Sequence, residues 1–154
     1  MLELKLQGIM LLQLLLSIIL GGILGFEREF SSKNAGIRTF SLVCAGSCLF
    51  GILSIYLPPI FAPNVIHNPA RIAAQVVSGI GFIGAGLVFH EGHSVRGLTT
   101  AASLWACAAI GVAISFSLYL VAIGCTLMLV FMLYIVKLKI WNLMSPKQNR
   151  HHLE

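Results

Sequence analysis

Five long runs of apolar residues, separated by short polar or proline-containing stretches, make up most of the chain. Each run is close to the roughly 20 residues that a helix needs to cross the hydrocarbon layer of a bilayer. The pattern predicts five membrane-spanning helices, at residues 8–26, 37–57, 70–89, 98–114 and 116–136. The last two are divided at Ser115 and Ser117, because one uninterrupted run would be about twice the length of a span.

The stretches between the predicted helices contain residues that end helices or prefer water. A polar segment, residues 27–34, follows the first helix, and a short polar turn at residues 90–97 follows the third. The loop after the second helix is marked by Pro58, Pro59, Pro63 and Pro69, because proline interrupts a helix.

The distribution of positive charge predicts the orientation in the membrane. With five spans, eight of the ten lysines and arginines fall on one side, and only Lys5 and Arg71 fall on the other. Lysine and arginine accumulate on the cytoplasmic side of membrane proteins. We therefore expect the N-terminus outside and the C-terminus in the cytoplasm.

Composition excludes an ordinary soluble domain. The 154 residues are 58% hydrophobic and 10% charged, whereas soluble domains contain about 25% charged residues. We predict one transmembrane domain over residues 1–144 and a cytoplasmic tail over 145–154, whose Leu153 and Glu154 are either native or a remnant preceding a purification tag. The net charge of +5 indicates contact with anionic lipid rather than nucleic acid, because no basic run is interleaved with aromatic residues.

Small residues recur at helical spacing and predict close helix packing. Gly21 and Gly25 form a small-xxx-small pair of the kind that lets membrane helices approach. The third helix contains Gly79, Gly81, Gly84 and Gly86, which predict either a tightly packed regular helix or a local break lining a cavity. The first four helices are expected to form the bundle, with the fifth at its edge or in a homodimer interface.

Several polar residues at helix ends are candidate functional groups. Glu27, Arg28 and Glu29 end the first helix, where the two carboxylates are either a divalent-cation site or a solvated charge cluster. Arg38, which begins the second helix, is predicted to pair with Glu27 or Glu29. Arg71, Gln75 and Ser78 share one face of the third helix, and this stripe either lines a half-channel or lets Arg71 reach the outer interface.

No catalytic or metal-binding pattern stands out. His90 and His93 are too few for a metal site, and Cys44 and Cys48, four residues apart in an apolar run, are interpreted as packing residues. Aspartate is absent from the chain, which disfavours most ion pumps and intramembrane proteases. We expect no enzyme activity, no metal and no cofactor.

Four segments of the chain resemble a known family. Residues 21–29 (GGILGFERE), 35–39 (AGIRT), 71–86 (RIAAQVVSGIGFIGAG) and 95–105 (VRGLTTAASLW) resemble, in this order, the MgtC/SapB family. The resemblance implies a five-span domain of the bacterial inner membrane, linked to growth at low magnesium and to survival inside macrophages. The positions that match the family's motif residues are Glu27, Arg28, Arg38, Thr39, Arg71, Gln75, Arg96, Gly97, Thr99 and Thr100.

The resemblance also implies two alternative functions. Members were first described as magnesium transporters, whereas the virulence member resembles a regulator that inhibits the rotary ATP synthase and affects phosphate uptake. Many members continue into a cytoplasmic ACT-like domain, whereas the sequence ends soon after the fifth predicted helix, so we expect either a short member or part of a longer chain. We expect a regulator that binds other membrane proteins through intramembrane helix faces; the alternative is a transporter or channel for a cation or small solute.

Overall fold

The structure is a computed structural model that describes residues 3–61, 68, 70–91 and 94–144. Its elements are five helices and one short hairpin: α1 (Leu4–Phe30), α2 (Ile37–Phe61), α3 (Ala70–Leu87), β1 (Phe89–Glu91), β2 (Ser94–Arg96), α4 (Leu98–Ser115) and α5 (Tyr119–Met144). The prediction of an all-α membrane bundle with five helices is confirmed. Within the described residues, Leu4–Phe30, Ile37–Leu57 and Leu98–Ser115 are long and apolar enough to cross a bilayer, and Ala73–Leu87 and Tyr119–Ile135 are shorter apolar helices.

Helices α1 and α2 lie antiparallel and touch through backbone. A Cβ atom at Gly21 would lie 2.7 Å from the Phe40 carbonyl oxygen, and one at Gly25 would lie 2.6 Å from the Ile37 Cα. The Ser41 hydroxyl donates a hydrogen bond to the Ile18 carbonyl across the same contact, at 3.1 Å. Two glycines one turn apart therefore set the distance between the first two helices.

Helices α2 and α4 run parallel to each other through the centre of the bundle. The Cys107 thiol donates to the Phe40 carbonyl at 3.4 Å, and further along both helices Gly111 packs on Cys44 and Gly51 packs on Ser115. Phe40, Cys44 and Cys107 are fully buried. Cys44 thus serves as a small packing residue in the core, as its position in an apolar run predicts.

Helix α3 runs antiparallel to α4 and is joined to it by the hairpin. The sequence predicted a helix as far as Phe89 and a short polar turn after it. In the structure α3 ends at Leu87 and Phe89 begins β1, which pairs with β2 in the register Phe89↔Arg96. The reversal depends on Gly97, whose φ of +88° is left-handed and whose missing side chain leaves room for the Leu87 carbonyl. A glycine at this point allows the chain to enter α4 directly from a strand.

Helix α3 is continuous from Ala70 to Leu87, so the structure contains a regular helix rather than a break. Its glycines nevertheless differ from the sequence-based expectation of close packing. Gly84 is buried, and a Cβ atom there would lie 3.6 Å from the Ala101 Cβ, but a Cβ at Gly79, Gly81 or Gly86 would meet nothing within 4 Å. Because α3 rests on α2 and α4 by one side only, these three glycines lie on its exposed surface.

Helix α5 packs on α4 and α1 along one face. Ala122, Thr126 and Leu133 are buried there, whereas Leu120 is 87% exposed and Met128 is 71% exposed. The rest of the core includes apolar side chains from α1, α2 and α4, among them Leu20, Leu24, Ile52, Leu104, Ile110 and Ile114. The first four helices therefore form the body of the bundle and α5 lies at its edge.

Candidate functional site at the end of the bundle

The C-terminal end of α1 holds a buried pair of opposite charges. The Arg28 guanidinium lies 3.5 Å from the Glu27 carboxylate, with side-chain exposures of 5% and 12%. Arg28 Nη2 also donates a hydrogen bond to Thr100 Oγ1 at 3.3 Å, and Ser31 Oγ donates to Glu27 Oε1 at 2.8 Å. We call these four residues the Arg28 cluster.

The Arg28 cluster couples the end of α1 to the start of α4. Removing a guanidinium from water costs several kcal/mol, so a buried arginine needs a counter-charge and hydrogen-bond acceptors. Glu27 and Thr100 supply them, but Arg28 Nε and Glu27 Oε2 have no hydrogen-bond partner among the described residues. The contacts of the Arg28 cluster therefore hold its side chains in place, although two of its polar atoms lack a hydrogen-bond partner among the described residues.

Glu29 has a different partner. Its Oε2 accepts a hydrogen bond from the backbone N–H of Ile37 at 2.9 Å, at the first residue of α2. A carboxylate is favourable there, because the first N–H groups of a helix have no intrahelical partner and carry partial positive charge. A Cβ at Gly36 would lie 2.5 Å from the same oxygen, so glycine at this position leaves room for the contact.

The predicted pairing of Arg38 with Glu27 or Glu29 is not present in the described structure. The Arg38 side chain is exposed, while Glu27 is occupied by Arg28 and Ser31 and Glu29 by the backbone of Ile37. Ile37 packs against Gly25 of α1, and Arg38, the next residue, lies about 100° further round α2. Thr39, the next residue, is partly buried.

Of the other predicted site residues at this end, Thr100 forms a hydrogen bond with Arg28. Arg96 is exposed on β2 and Thr99 is exposed in the first turn of α4, where its carbonyl accepts a hydrogen bond from Ser103 Oγ at 2.8 Å. Chain direction places these residues, together with Arg38 and Thr39, at one end of the bundle. Among them, the Arg28 side chain meets those of Glu27 and Thr100.

Arg71, Gln75 and Ser78 lie on α3, toward the opposite end of the bundle. Arg71 is separated from Leu87, the last residue of α3, by about 24 Å along the helix axis. All three side chains are exposed, so this stripe does not line the centre of the helix bundle. The predicted site residues therefore form two groups, one at each end.

A groove of about 570 Å³ runs between α2 and α3 on the outside of the bundle. Its lining is apolar except for Ser47 and Gln75; the other lining residues are Leu42, Val43, Gly46, Phe50, Val76, Gly79, Ile80 and Ile83. Leu42 is 73% exposed and Phe50 is 54% exposed, which shows that the groove is open on its outer side.

Gln13 is a structural residue whose role the sequence did not indicate. It is buried in α1, and its Nε2 lies 3.0 Å from the Ile114 carbonyl, 3.1 Å from the Tyr119 hydroxyl and 3.3 Å from Ser117 Oγ. Gln13 and Arg28 are about 22 Å apart along α1 and bind opposite ends of α4. A glutamine within an otherwise apolar run was the available signal, since such groups seek a partner helix in lipid.

Metal ligands do not cluster in the described part of the chain. No group of three or more histidine, cysteine, aspartate or glutamate side chains is found there. The Glu27 and Glu29 carboxylates lie beside Arg28 and the Ile37 N–H, which is not the arrangement of a prepared divalent-cation site. His93 lies outside the described residues.

Fold and site together define a helical membrane protein whose first and fourth helices are linked by a hydrogen bond from the buried Arg28 to Thr100. Comparison with known proteins identifies its family: the model of the MgtC family matches residues 14–139, and the chain belongs to that family. The chain is 49% identical over 96 residues to Protein MgtC of Brucella abortus, a match that covers 62% of this chain and 38% of that protein. It is 47% identical over 102 residues to Protein MgtC of Salmonella typhimurium, covering 66% and 41% respectively.

The chain thus spans about two fifths of the length of these relatives. No solved structure matches it.

Proposed function

We propose that this protein is a regulator of the bacterial inner membrane that acts by binding another membrane protein through the outer face of α3. The observation that carries the proposal is a row of small exposed residues on that helix: Ala74, Ser78, Gly81 and Ala85. They lie at i, i+4, i+7 and i+11, which places them on one face. We call this row the α3 small face.

Two features of the α3 small face support binding to another protein. Small residues allow a second helix to approach closely, and close packing is a main source of helix association in lipid. A Cβ at Gly81 would meet nothing within 4 Å in this chain. The same packing chemistry that joins α1 to α2 through Gly21 and Gly25 is therefore available to a partner on the outside of α3.

Membership of the MgtC family supports the kind of partner and the physiological role that we propose. We infer a role linked to magnesium limitation and virulence, with a rotary ATP synthase as the partner, because this is what the family resemblance implies. Homodimerisation through the same face is the simplest competing use of it.

The orientation that we propose has the N-terminus outside and the C-terminus inside. Arg28, Lys33, Arg38 and Arg96 then lie at the cytoplasmic end of the bundle, in agreement with the positive-inside bias. The Arg28 cluster lies at this end and holds α1 and α4 together next to the α3–α4 hairpin.

A transporter is the less favoured alternative. Polar groups at membrane depth usually mark the path of a transported ion or solute. In the described residues, Arg71, Gln75 and Ser78 face outward, and the groove next to them is lined mainly by apolar side chains. An ion crossing along such a surface would lose its hydration without gaining ligands.

The proposal can be tested by measuring proton pumping in inverted inner-membrane vesicles with and without this protein. Pumping is driven once by ATP and once by respiration. If the protein inhibits the ATP synthase, ATP-driven pumping falls while respiration-driven pumping is unchanged. A fall in both would indicate that the protein itself leaks or transports ions, and an effect on neither would refute synthase inhibition.

The critical variant is Gly81→Leu, which places a bulky side chain on the α3 small face and should abolish the inhibition. Gly124→Leu is the matched control, because a Cβ at Gly124 in α5 also meets nothing within 4 Å. Gly84 is unsuitable for this purpose, since its contact with Ala101 means that a leucine there would disturb the α3–α4 packing. Equal inhibition by wild type and Gly81→Leu would exclude the α3 small face as the binding surface.

A further inference from the structure

We propose that the groove between α2 and α3 binds one anionic phospholipid, with an acyl chain in the groove and the headgroup phosphate on Arg71. The first observation is the groove itself. Its volume of about 570 Å³ is within the ~300–1,000 Å³ of ligand sites, and its walls are apolar. Since the groove faces the surroundings of the bundle, hydrocarbon is the material that contacts it in a bilayer.

The length of the groove suits one leaflet. On α3 the lining extends from Gln75 to Ile83, about 12 Å along the helix axis. Half of the hydrocarbon core of a bilayer is about 15 Å thick. The groove is therefore long enough to hold most of the length of one acyl chain that lies along α3 within a single leaflet.

The charge at the end of the groove selects the headgroup. Arg71, Gln75, Gly79 and Ile83 follow one another at intervals of four residues, a row that lies along one side of the helix. Arg71 is thus one turn, about 6 Å, beyond the end of the groove at Gln75. It is exposed in the first turn of α3, just before the apolar stretch Ala73–Leu87, so in a bilayer we place it where the headgroups meet the hydrocarbon.

Arg71 and Gln75 offer complementary polar contacts in the order that a phospholipid requires. A guanidinium binds phosphate through paired N–H donors. The ester carbonyls of a phospholipid follow the phosphate by a few bonds, and the Gln75 amide, one turn deeper, can donate to them. Arg71 has no ion-pair partner among the described residues, and an anionic lipid supplies the missing negative charge.

The lipid is identified by native mass spectrometry of the protein after reconstitution in bilayers of equal parts phosphatidylglycerol and phosphatidylethanolamine. We expect one retained phosphatidylglycerol per protein chain in the wild type. Arg71→Gln should reduce its retention about fivefold, the factor that corresponds to about 1 kcal/mol for one basic residue near an anionic surface. Gly79→Leu, which fills the groove, should reduce retention of both lipids.

The controls separate this site from a general attraction to charged lipid. Lys5→Gln removes an exposed positive charge from the first turn of α1, which lies at the same end of the bundle, and should leave retention unchanged. Both test variants are expected to fold, since Arg71 is exposed and a Cβ at Gly79 meets nothing within 4 Å; unchanged circular dichroism verifies this.

Three outcomes would overturn the proposal. Equal retention of phosphatidylethanolamine by the wild type would exclude selection by Arg71. Equal losses in Lys5→Gln and Arg71→Gln would show a nonspecific layer of anionic lipid. A lipid-free dimer mass that Gly79→Leu converts to a monomer would show that a second copy of the chain, rather than a lipid, occupies the groove.

Discussion

The contact between α1 and α2 yields the sharpest prediction about stability. In Gly25→Ala, the new methyl carbon would lie 2.6 Å from Ile37 Cα, 2.9 Å from Ile37 N and 2.9 Å from the Gly36 carbonyl oxygen. Favourable carbon contacts lie at about 3.5–4.0 Å. The obstructing atoms belong to the backbone, so the start of α2 would have to move by about 1 Å rather than one side chain changing its rotamer.

Overpacking of this kind costs about 1–3 kcal/mol, and obstruction by backbone places this site in the upper part of that range. Alanine regains about 0.5–1 kcal/mol, because glycine is unfavourable within a helix. The expected net loss in free energy of unfolding is therefore about 1–2 kcal/mol. Gly124→Ala, which meets no neighbour, should instead gain up to about 1 kcal/mol.

Reversible unfolding in mixed micelles, followed by far-ultraviolet circular dichroism, measures both values. The critical result is that the free energy of unfolding falls in Gly25→Ala and rises in Gly124→Ala, because any general effect of alanine on helix stability would act equally on the two variants. If Gly25→Ala proved as stable as the wild type, or gained as much as Gly124→Ala, the conclusion that glycine sets the α1–α2 distance would be refuted.

Three further predictions concern polar contacts and backbone conformation, and the same unfolding assay measures each of them. Arg28→Met should lower the free energy of unfolding by about 3 kcal/mol or more, because Glu27 stays buried without its counter-charge. The double variant Glu27→Gln/Arg28→Met should recover most of this loss. If it recovered none, the two charges would not be coupled. Gln13→Leu should cost about 0.5–1.5 kcal/mol by removing the hydrogen bond from its Nε2 to the Ile114 carbonyl, which keeps a bond from the Ser117 N–H, and hydrogen exchange should accelerate at the α4–α5 turn, not at the hairpin. Gly97→Ala should cost at least about 1–2 kcal/mol, since its φ is left-handed and the added methyl would meet the Leu87 carbonyl; an unchanged stability would show that the hairpin can adopt another turn.

The apolar pattern was sufficient to predict the helices, since a bilayer requires about 20 apolar residues for each span. The predicted limits agree within a few residues for the core of each helix, although α1 and α5 extend further at their ends. The hairpin was missed because three-residue strands contain too few residues to display an alternating pattern.

Candidate site residues could be selected from the sequence because charged side chains at or within membrane spans are energetically unfavourable and usually have a partner or a function. Their contacts could not be predicted. Glu27 and Glu29 are two residues apart, so they point to different sides of α1, and one meets Arg28 while the other meets the start of α2. Only the rotation of each helix about its axis decides which partner is within reach.

The glycines illustrate the same division. Residue type and spacing determined that α1 and α3 each present a surface without bulky side chains. The tertiary structure decided that Gly21 and Gly25 face α2, whereas Gly79, Gly81 and Gly86 face outward. The physical reason is that a small-residue face permits close approach without specifying a neighbour, and the neighbour is chosen by the packing of all five helices together.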